Sequence, residues 1–375
     1  MSGIYVHVPF CKKACHYCNF HFSTSLGLKD QMVDAICAES EIRKDYLSEK
    51  NLRSIYFGGG TPGMLSAHET GKILNTLAKF FSWDDTAEVT LEANPDDLTI
   101  EKLRDLRSLG INRLSIGVQS FFNEDLVWMG RVHDAERALA CIGDARDTGF
   151  ENLTIDLIYG SPASNHETWS ANMKTAIDLQ IPHISAYCLT VEEKTALSHF
   201  IKTGKNAPPD PQKTSEYFDM LMDAMQDAGY IHYEISNFAK PGNMAIHNTG
   251  YWEGIPYLGL GPSAHSFDGV FRSWNVANNK KYIDSILSGI LPSETEKLTL
   301  ADQYNEYIMT GLRTMIGVDV KRIKNFGTVY SDCFLSGIGS HIAAGNLIQT
   351  GDNYLLTQAG KHFADRISME LFYTD

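Results

Sequence analysis

Residues 11–18, CKKACHYC, place three cysteines close together directly after an apolar, strand-like run, IYVHV. Cys11, Cys15 and Cys18 are separated by three and then two residues, so their thiolates can converge on one centre. Three thiolates satisfy neither a four-thiolate structural zinc site nor a fully ligated [4Fe–4S] cluster. A cubane cluster held by three cysteines leaves one iron without a protein ligand. A small molecule with an amine and a carboxylate can chelate that iron.

The spacing of these cysteines and the strand before them resemble the radical S-adenosylmethionine (radical SAM) superfamily. In that chemistry SAM chelates the open iron, the reduced cluster passes one electron into the sulfonium, and a 5′-deoxyadenosyl radical results. The resemblance implies that Cys11, Cys15 and Cys18 hold a [4Fe–4S] cluster, with SAM as the second cofactor. A zinc site completed by His16 or His21 is the alternative interpretation, which the downstream motifs disfavour.

The composition is that of a globular protein without a membrane-spanning segment. The 375 residues are 43% hydrophobic and 21% charged, which leaves room for two or three domains. No run approaches the ~20 apolar residues of a membrane helix, and the N-terminus lacks the features of a secretion signal. We therefore expect a cytoplasmic protein. A net charge of −14 disfavours nucleic acid and anionic lipid, so membrane contact is expected only through partner proteins.

Short β-rich runs alternate with amphipathic helical stretches through the first half of the chain. This alternation predicts parallel strands joined by helical crossovers. Six such units favour a partial (β/α)6 TIM-like barrel, the α/β fold that the radical SAM resemblance also implies, with a doubly wound open sheet as the alternative. The predicted strands are Ile4–Val8, Ser54–Phe57, Glu88–Leu91, Arg113–Val118, Leu153–Tyr159 and Ile184–Leu189. The predicted helices between them include Lys29–Tyr46, Ala67–Phe81, Ile100–Leu109, Asp134–Thr148 and Glu167–Leu179.

The chain changes character after a loop rich in Pro and Lys at residues 202–212. Residues 230–275 are rich in Gly, Asn, His and aromatic residues, which predicts a loop-rich cap rather than a solvated linker. Further helix patterns and a hairpin near the C-terminus predict a small winged-helix-like α+β domain. We expect a radical SAM core barrel over residues 1–235, a cap over 236–295 and a C-terminal domain over 296–375.

Glycines and polar residues at the ends of the predicted strands form a second set of candidate site residues. The GGGTP turn at residues 58–62 follows the strand SIYF, and glycines there let the backbone approach a ligand closely. Polar residues at the carboxyl ends of barrel strands gather on the face that carries the βα loops. The ordered set resembles the coproporphyrinogen III dehydrogenase-like branch of radical SAM proteins over essentially the whole chain. That resemblance implies SAM contacts by Tyr5, Tyr17, Gly59, Gly60, Thr61, Glu92, Gln119, Arg131 and Asp156.

Two departures from the dehydrogenases point to a different subfamily. The dehydrogenases carry a further cysteine two residues after the third, where this chain has Phe20. Residues 247–252 read HNTGYW, which matches the His-Asn-x-x-Tyr-Trp signature of the HemW-like haem chaperones. His247 offers an imidazole nitrogen for haem iron, and Tyr251 and Trp252 offer flat apolar faces for a porphyrin. A purely structural role, packing the cap onto the barrel, is the alternative for this motif.

Three functions remain open from the sequence. The first is a haem-binding chaperone with a cluster-and-SAM core, which would need a small electron donor and haem-acceptor proteins, respiratory proteins among the candidates. The second is oxygen-independent oxidation of coproporphyrinogen III in porphyrin biosynthesis. The third is a radical SAM enzyme that modifies haem. Phe20 and the HNTGYW motif favour the chaperone. The enzymes stay open because a set of polar residues is retained: Glu92, Gln119, Arg131 and Asp156.

The cysteine spacing predicts which thiols hold the cluster. Replacing Cys11, Cys15 or Cys18 by Ala removes a ligand, so the broad brown absorption of reconstituted protein should be lost. Cysteines elsewhere are expected to be dispensable because buried thiols behave as small hydrophobes; they are Cys37, Cys141, Cys188 and Cys333. Anaerobic reconstitution with iron analysis measures both effects. Four irons retained by the triple Ala variant would contradict the assignment.

Overall fold

A computed structural model describes residues 2–374 and shows one large sheet that carries most of the chain. Six neighbouring strands, β1 to β6, run parallel in chain order, as the partial barrel requires. Helices follow these strands in the predicted alternation. The strands are β1 Ser2–Val8, β2 Leu52–Gly59, β3 Glu88–Ala93, β4 Arg113–Gln119, β5 Asn152–Tyr159 and β6 His183–Cys188. Each predicted strand is confirmed within two residues at either end.

The crossover helices confirm the sequence pattern, although the first two end at Ile42 and Leu77, four residues before their predicted ends. Several begin at polar caps: the side chains of Ser66, Asp134 and Asn165 accept backbone N–H groups of the first turn. The helices through the barrel are α1 Lys29–Ile42, α2 Ala67–Leu77, α3 Ile100–Ser108, α4 Asn123–Met129, α5 Ala135–Asp147, α6 His166–Asp178, α7 Ala196–Lys202 and α8 Pro211–Asp227. Within residues 2–374, no helix is long and apolar enough to cross a membrane.

Side chains alternate between the two faces of β1 and thereby define the inside of the barrel. Ile4, Val6 and Val8 are buried and join the main hydrophobic core. Tyr5 points to the opposite face, in register with Tyr56 of β2. Because successive residues of a strand alternate in direction, the face that carries Tyr5 is the one on which polar site residues can collect.

The segment expected to be a loop-rich cap instead extends the sheet at both ends. One extension pairs β9 with β1 in parallel and continues outward through antiparallel strands. Its strands are only three to five residues long and are broken by glycines and turns, so no period-2 pattern was visible in the sequence. The elements are β7 Ile231–Glu234, β8 Asn237–Ala239, α9 Ile246–Glu253, β9 Tyr257–Leu260, β10 His265–Phe267, β11 Phe271–Asn275, α10 Asn279–Leu287 and β12 Ser293–Lys297.

The C-terminal region forms a second hydrophobic core of its own. Buried residues such as Tyr304, Ile308 and Phe334 pack there, separately from the barrel core. A three-stranded sheet flanked by helices agrees with the winged-helix-like prediction, while the exact domain boundaries stay a prediction. The elements are α11 Leu300–Leu312, β13 Val318–Asp319, α12 Val320–Phe326, α13 Thr328–Ala343, β14 Leu347–Thr350, β15 Asn353–Leu356, α14 Gln358–Lys361 and α15 Ala364–Glu370.

A buried carboxylate on α1 attaches the sheet extension to the barrel. Glu39 is fully buried and accepts hydrogen bonds from the amide of Gly261 at 2.8 Å, from Asn275 at 2.7 Å and from the hydroxyl of Tyr282 at 2.5 Å. Arg43, one turn later, lies 3.5 Å from Glu39. Its guanidinium also donates to the carbonyl of Gly259 at 3.1 Å and to the hydroxyl of Ser273 at 3.2 Å.

Removing this carboxylate should destabilise the protein strongly. Glu39→Ala leaves the guanidinium of Arg43 buried without a counter-charge, a change that typically costs about 3–5 kcal/mol. Glu41→Ala is the matched control, since Glu41 is exposed on the same helix and should change the free energy of unfolding by less than about 0.5 kcal/mol. Urea denaturation measures both. Equal free energies of unfolding for Glu39→Ala and Glu41→Ala would show that the contacts of Glu39 do not stabilise the protein.

Candidate functional site at the two ends of the barrel

The cysteine loop is tied down at the carboxyl end of β1. The amide of Cys11 donates to the carbonyl of Ser23 at 3.0 Å. The ring of His16 is bonded to the carbonyl of Trp128 at 2.8 Å, and its backbone carbonyl accepts the amide of Leu197 at 2.7 Å. The loop is therefore fixed by three separate segments, and His16 is occupied by this anchoring.

Two side chains donate hydrogen bonds to the cysteine sulfurs. The hydroxyl of Thr61, in the GGGTP turn, lies 3.4 Å from the Sγ atom of Cys11. The guanidinium of Arg131 lies 3.4 Å from the Sγ atom of Cys15. Burial and the neighbouring thiols raise the pKa of Cys11 to about 11. The hydrogen bond from Thr61 acts in the opposite direction, because a donor that points at sulfur stabilises the thiolate form. The loop is therefore arranged for thiolates that a positively charged centre would hold.

The donor set suits a multinuclear cluster better than a single ion. Across residues 2–374, no three His, Cys, Asp or Glu side chains converge as ligands of one metal ion. Yet the thiols of Cys11, Cys15 and Cys18 are unpaired, partly exposed and close enough to act on one another electrostatically. Three thiolates around a wider group fit a cubane. The expectation that the remaining cysteines are buried is confirmed only for Cys141. Cys188 is exposed, and Cys37 and Cys333 are partly exposed.

Two partly buried carboxylates, Glu92 and Asp156, lie inside the barrel. Glu92 of β3 accepts a hydrogen bond from the hydroxyl of Tyr56 at 2.6 Å. Burial raises the pKa of Glu92 to about 7 and that of Asp156 to about 6, and each is opposed by hydrogen bonds that favour its charged form. Arg113, buried at the start of β4, also lowers both pKa values. The interior thus holds two acids that titrate near neutral pH beside a fixed cation.

The glycine turn is shaped by its contacts within the protein. A Cβ atom at Gly58 would lie 2.8 Å from the ring of Tyr5 and 3.2 Å from the carboxylate of Glu92, so this residue faces the interior site. Gly59 has φ +111°, and a Cβ atom there would meet the ring of His7 at 2.6 Å. Gly60 lies against the backbone of Phe10, where a Cβ atom would be 2.8 Å from its amide nitrogen.

Arg131 joins the cysteine loop to the strand ends. Its guanidinium donates to the carbonyl of Gly117 at 2.7 Å and to Asn94, and it lies 3.5 Å from the hydroxyl of Tyr17. Its Nε atom is buried without a partner. Gln119 ends β4 in a left-handed conformation, φ +68°, beside a register shift between β4 and β5. The predicted residues Tyr17, Gln119 and Arg131 are thus brought together near Cys15.

The HNTGYW motif lies at the opposite end of the barrel, on α9. Glu88, the first residue of β3, accepts the amides of Ile246 at 2.9 Å and of His247 at 3.0 Å. The Nδ1 atom of His247 is bonded to the hydroxyl of Ser54 at 2.8 Å, near the start of β2. Since the cysteines follow the carboxyl end of β1 and Ser54 lies near the amino end of β2, α9 closes the floor of the barrel.

The imidazole of His247 is buried with both nitrogens engaged. Its Nε2 atom is bonded to the hydroxyl of Tyr251 at 2.8 Å, and only 4% of the residue is exposed. Its ring stacks on that of Tyr56 at 5.0 Å between centroids. Burial lowers its pKa to about 3, so it is neutral. Ligation of an iron by His247 would first require one of these hydrogen bonds to break.

Trp252 lies on the outer side of the same helix. The guanidinium of Arg313 stands over its ring at 5.6 Å from the centroid, and its indole N–H is buried without a hydrogen-bond partner. Two cations near this motif in the sequence, Arg272 and Lys240, could meet haem propionates, but both are engaged. Arg272 contacts Glu306 at 2.6 Å, and Lys240 donates to Gln180 at 2.6 Å.

Comparison with known proteins assigns the chain to a family. Residues 5–176 match the model of the Radical SAM superfamily. Over 98% of both chains, the sequence is 34% identical to the heme chaperone HemW of Bacillus subtilis. It is also 32% identical to the heme chaperone HemW of Mycobacterium tuberculosis, over 97% of this chain and 93% of that protein. The chain belongs to the HemW-like family of radical SAM proteins.

The structure of a related enzyme agrees with this assignment. Coproporphyrinogen III oxidase (HemN) from Escherichia coli, a radical SAM enzyme, superposes with a TM-score of 0.86 over 99% of this chain and 90% of its own, at 25% identity. The predicted fold class of this HemW-like chain is thereby confirmed. The region that matches the superfamily includes the cysteine loop and the interior carboxylates.

Several interior residues were not found from the sequence. Tyr56 holds Glu92, Arg113 lies among the carboxylates, and Glu88 fixes α9. Each lies inside a β-rich run, where a polar side chain can face either solvent or the barrel interior. For Arg113, the charge within an otherwise apolar run was a usable signal, because a buried charge requires partners.

The raised pKa of Glu92 predicts a pH-dependent stability. An unfolded glutamate ionises near pH 4.5, whereas the folded one ionises near 7, so folding stability falls as pH rises through that window. Glu92→Gln cannot ionise and should stabilise SAM-free protein above pH 7 by up to about 3 kcal/mol. The same variant should bind SAM roughly tenfold more weakly, since a hydrogen bond to a charged group contributes about 1.5–3 kcal/mol.

Thermal melts between pH 5 and 8 and SAM titrations provide the measurements. The matched control is Glu124→Gln, at an exposed position of α4, which should change neither the pH dependence of stability nor the SAM affinity. Parallel pH–stability profiles of wild type and Glu92→Gln would contradict the shifted pKa. Unchanged SAM affinity would place the SAM site elsewhere.

Proposed function

We propose that this protein binds haem and delivers it to acceptor proteins in the cytoplasm, with a [4Fe–4S] cluster and SAM in its core. The observation that carries the proposal is the similarity over nearly full length to proteins named heme chaperone HemW. The acceptors and a small electron donor are partners that this function requires. The acidic surface, with a net charge of −14, suits protein partners better than nucleic acid.

The cysteine loop and the barrel interior supply the residues for the two cofactors. Cys11, Cys15 and Cys18 would hold the cluster, while Thr61 and Arg131 donate hydrogen bonds to its sulfur ligands. When bound, the cluster supplies one-electron reduction to SAM. The other residues expected to contact SAM are Tyr5, Tyr17, Gly59, Gly60, Glu92, Gln119 and Asp156.

The interior acids can adapt their charge to a cationic ligand. Glu92 and Asp156 have pKa values of about 7 and 6, so binding of a positively charged group favours the loss of their protons. The hydroxyl of Tyr56 donates to Glu92 and stabilises the resulting carboxylate. A sulfonium or ammonium group of SAM provides such a charge.

Oxidation of coproporphyrinogen III is the second candidate function. It is favoured by the fold shared with the Escherichia coli oxidase and by the acids retained in the interior. Against it stands Phe20, whose side chain replaces the additional cysteine of the dehydrogenases and is 67% exposed in this chain. A modification of haem itself would use the same interior and needs the same test.

Haem contact by the α9 motif remains part of the proposal in a restricted form. The rings of Tyr251 and Trp252 lie on the barrel floor and at the contact with α11, respectively. The ring of His247 instead forms hydrogen bonds with Ser54 of β2 and Tyr251 of α9, which attaches α9 to the barrel. His247 is therefore expected to ligate iron only if α9 moves away from β2.

Haem titration and coproporphyrinogen turnover, measured on one anaerobic preparation, discriminate between the functions. Wild type should bind about one haem per chain and show little or no oxidation of coproporphyrinogen III. Phe20→Cys should remain inactive, because one added thiol does not rebuild a substrate pocket. The cluster-free Cys15→Ala variant is the control that separates haem binding from SAM chemistry. Turnover at an ordinary enzymatic rate, or no haem binding, would overturn the proposal.

A further inference from the structure

The histidines of the chain fall into two groups, according to whether a ring nitrogen has a hydrogen-bond or ion-pair partner. All thirteen lie within residues 2–374, and ten have a ring nitrogen bonded to, or within an ion-pair distance of, another group. In the part of the chain that the structure describes, three imidazoles have no such partner: His68, His199 and His265. A haem ligand needs a nitrogen lone pair free to reach iron.

His265 differs from the other two by its aromatic surroundings on a sheet. It begins β10 and pairs across the strands with Trp274 of β11, with 6.1 Å between the ring centroids. Phe267 follows two residues later on the same face, in register with Tyr257 of β9. His265 is exposed, whereas Trp274 is partly buried, so the imidazole stands at the rim of an aromatic surface.

Strand register places this aromatic surface on the inner side of the sheet. Ser273 and Asn275, on either side of Trp274, point towards α1, where they meet Arg43 and Glu39. Trp274 therefore points to the opposite face. Tyr257 pairs with Gly3, two residues before Tyr5, so the surface continues the face that carries Tyr5.

The same contacts make the surface rigid. Glu39 accepts hydrogen bonds from the amide of Gly261 and from the side chain of Asn275. The backbone amide of Asn275 in turn donates to the carbonyl of Ala264, the residue before His265, at 3.0 Å. The ring itself makes no hydrogen bond that a ligand would have to displace. Although the residue is exposed, partial burial of its ring and the charge of Arg272 lower the pKa of His265. The lowered pKa favours the neutral imidazole that binds metal.

We propose that His265 is an axial ligand of bound haem and that Trp274 packs against the porphyrin beside it. This assignment rests on the haem binding proposed above and names its site. The two other unbonded histidines provide matched controls. His68 lies on the outer helix α2, and His199 lies on α7 beside Phe200, whose ring is already covered by Lys205 at 4.2 Å.

The test is haem titration of full-length, cluster-reconstituted variants, with ferric haem as the probe. His265→Ala should weaken haem binding at least tenfold and shift the Soret band, with cluster absorption and SAM affinity unchanged. Added imidazole should restore the Soret position, a rescue that a purely structural role would not give. Trp274→Leu should lower haem affinity and leave the Soret position unchanged. His68→Ala and His199→Ala should behave as wild type.

Each outcome bears on a definite claim. If wild type binds no haem, the proposed function and this site both fail. If wild type binds haem and His265→Ala binds it identically, only the site assignment fails. The assignment also fails if His247→Ala abolishes binding while His265→Ala retains it, or if imidazole does not reverse the loss in His265→Ala.

Discussion

The carboxylate of Glu88 is the constraint on which both ends of the barrel depend. It accepts the first amides of α9 on one side and faces the guanidinium of Arg113 at 3.7 Å on the other. Arg113 in turn lowers the pKa values of Glu92 and Asp156. A buried carboxylate without a cation would be strongly unfavourable, so the floor helix and the interior acids rely on one shared positive charge.

The floor and the interior are also joined by stacked rings. Tyr5 and Tyr56 stack at 6.2 Å, and His247 lies against Tyr56 from below. The hydroxyl of Tyr56 ends this column at Glu92. The HNTGYW motif thus contacts the barrel interior through Tyr56, and its histidine packs against that ring.

The sequence predicted well whatever depends on local pattern and less well whatever depends on distant partners. The strands β1 to β6 and their helices follow from hydrophobic period and caps, and the cysteine loop follows from spacing. The extension β9 to β12 was missed because its strands are short and interrupted by glycines and turns. The role of His247 was open because the sequence does not show whether its ring nitrogens bind haem iron or, as in the structure, the hydroxyls of Ser54 and Tyr251. His265 could not be singled out from the sequence, because its unbonded ring nitrogens are recognised only once the partners of ten other histidines are known.

The pairing of β1 with β9 has a consequence for how the chain is made. Gly3 lies beside Tyr257, so one edge of β1, the strand before the cysteine loop, is completed by a segment synthesised some 250 residues later. Its other edge, against β2, is available early. On the ribosome, β1 therefore remains an open sheet edge until most of the protein has emerged, and edges of this kind attract wrong partners. The nascent chain needs protection at that strand, and the glycine-interrupted extension is the element that ends the exposure.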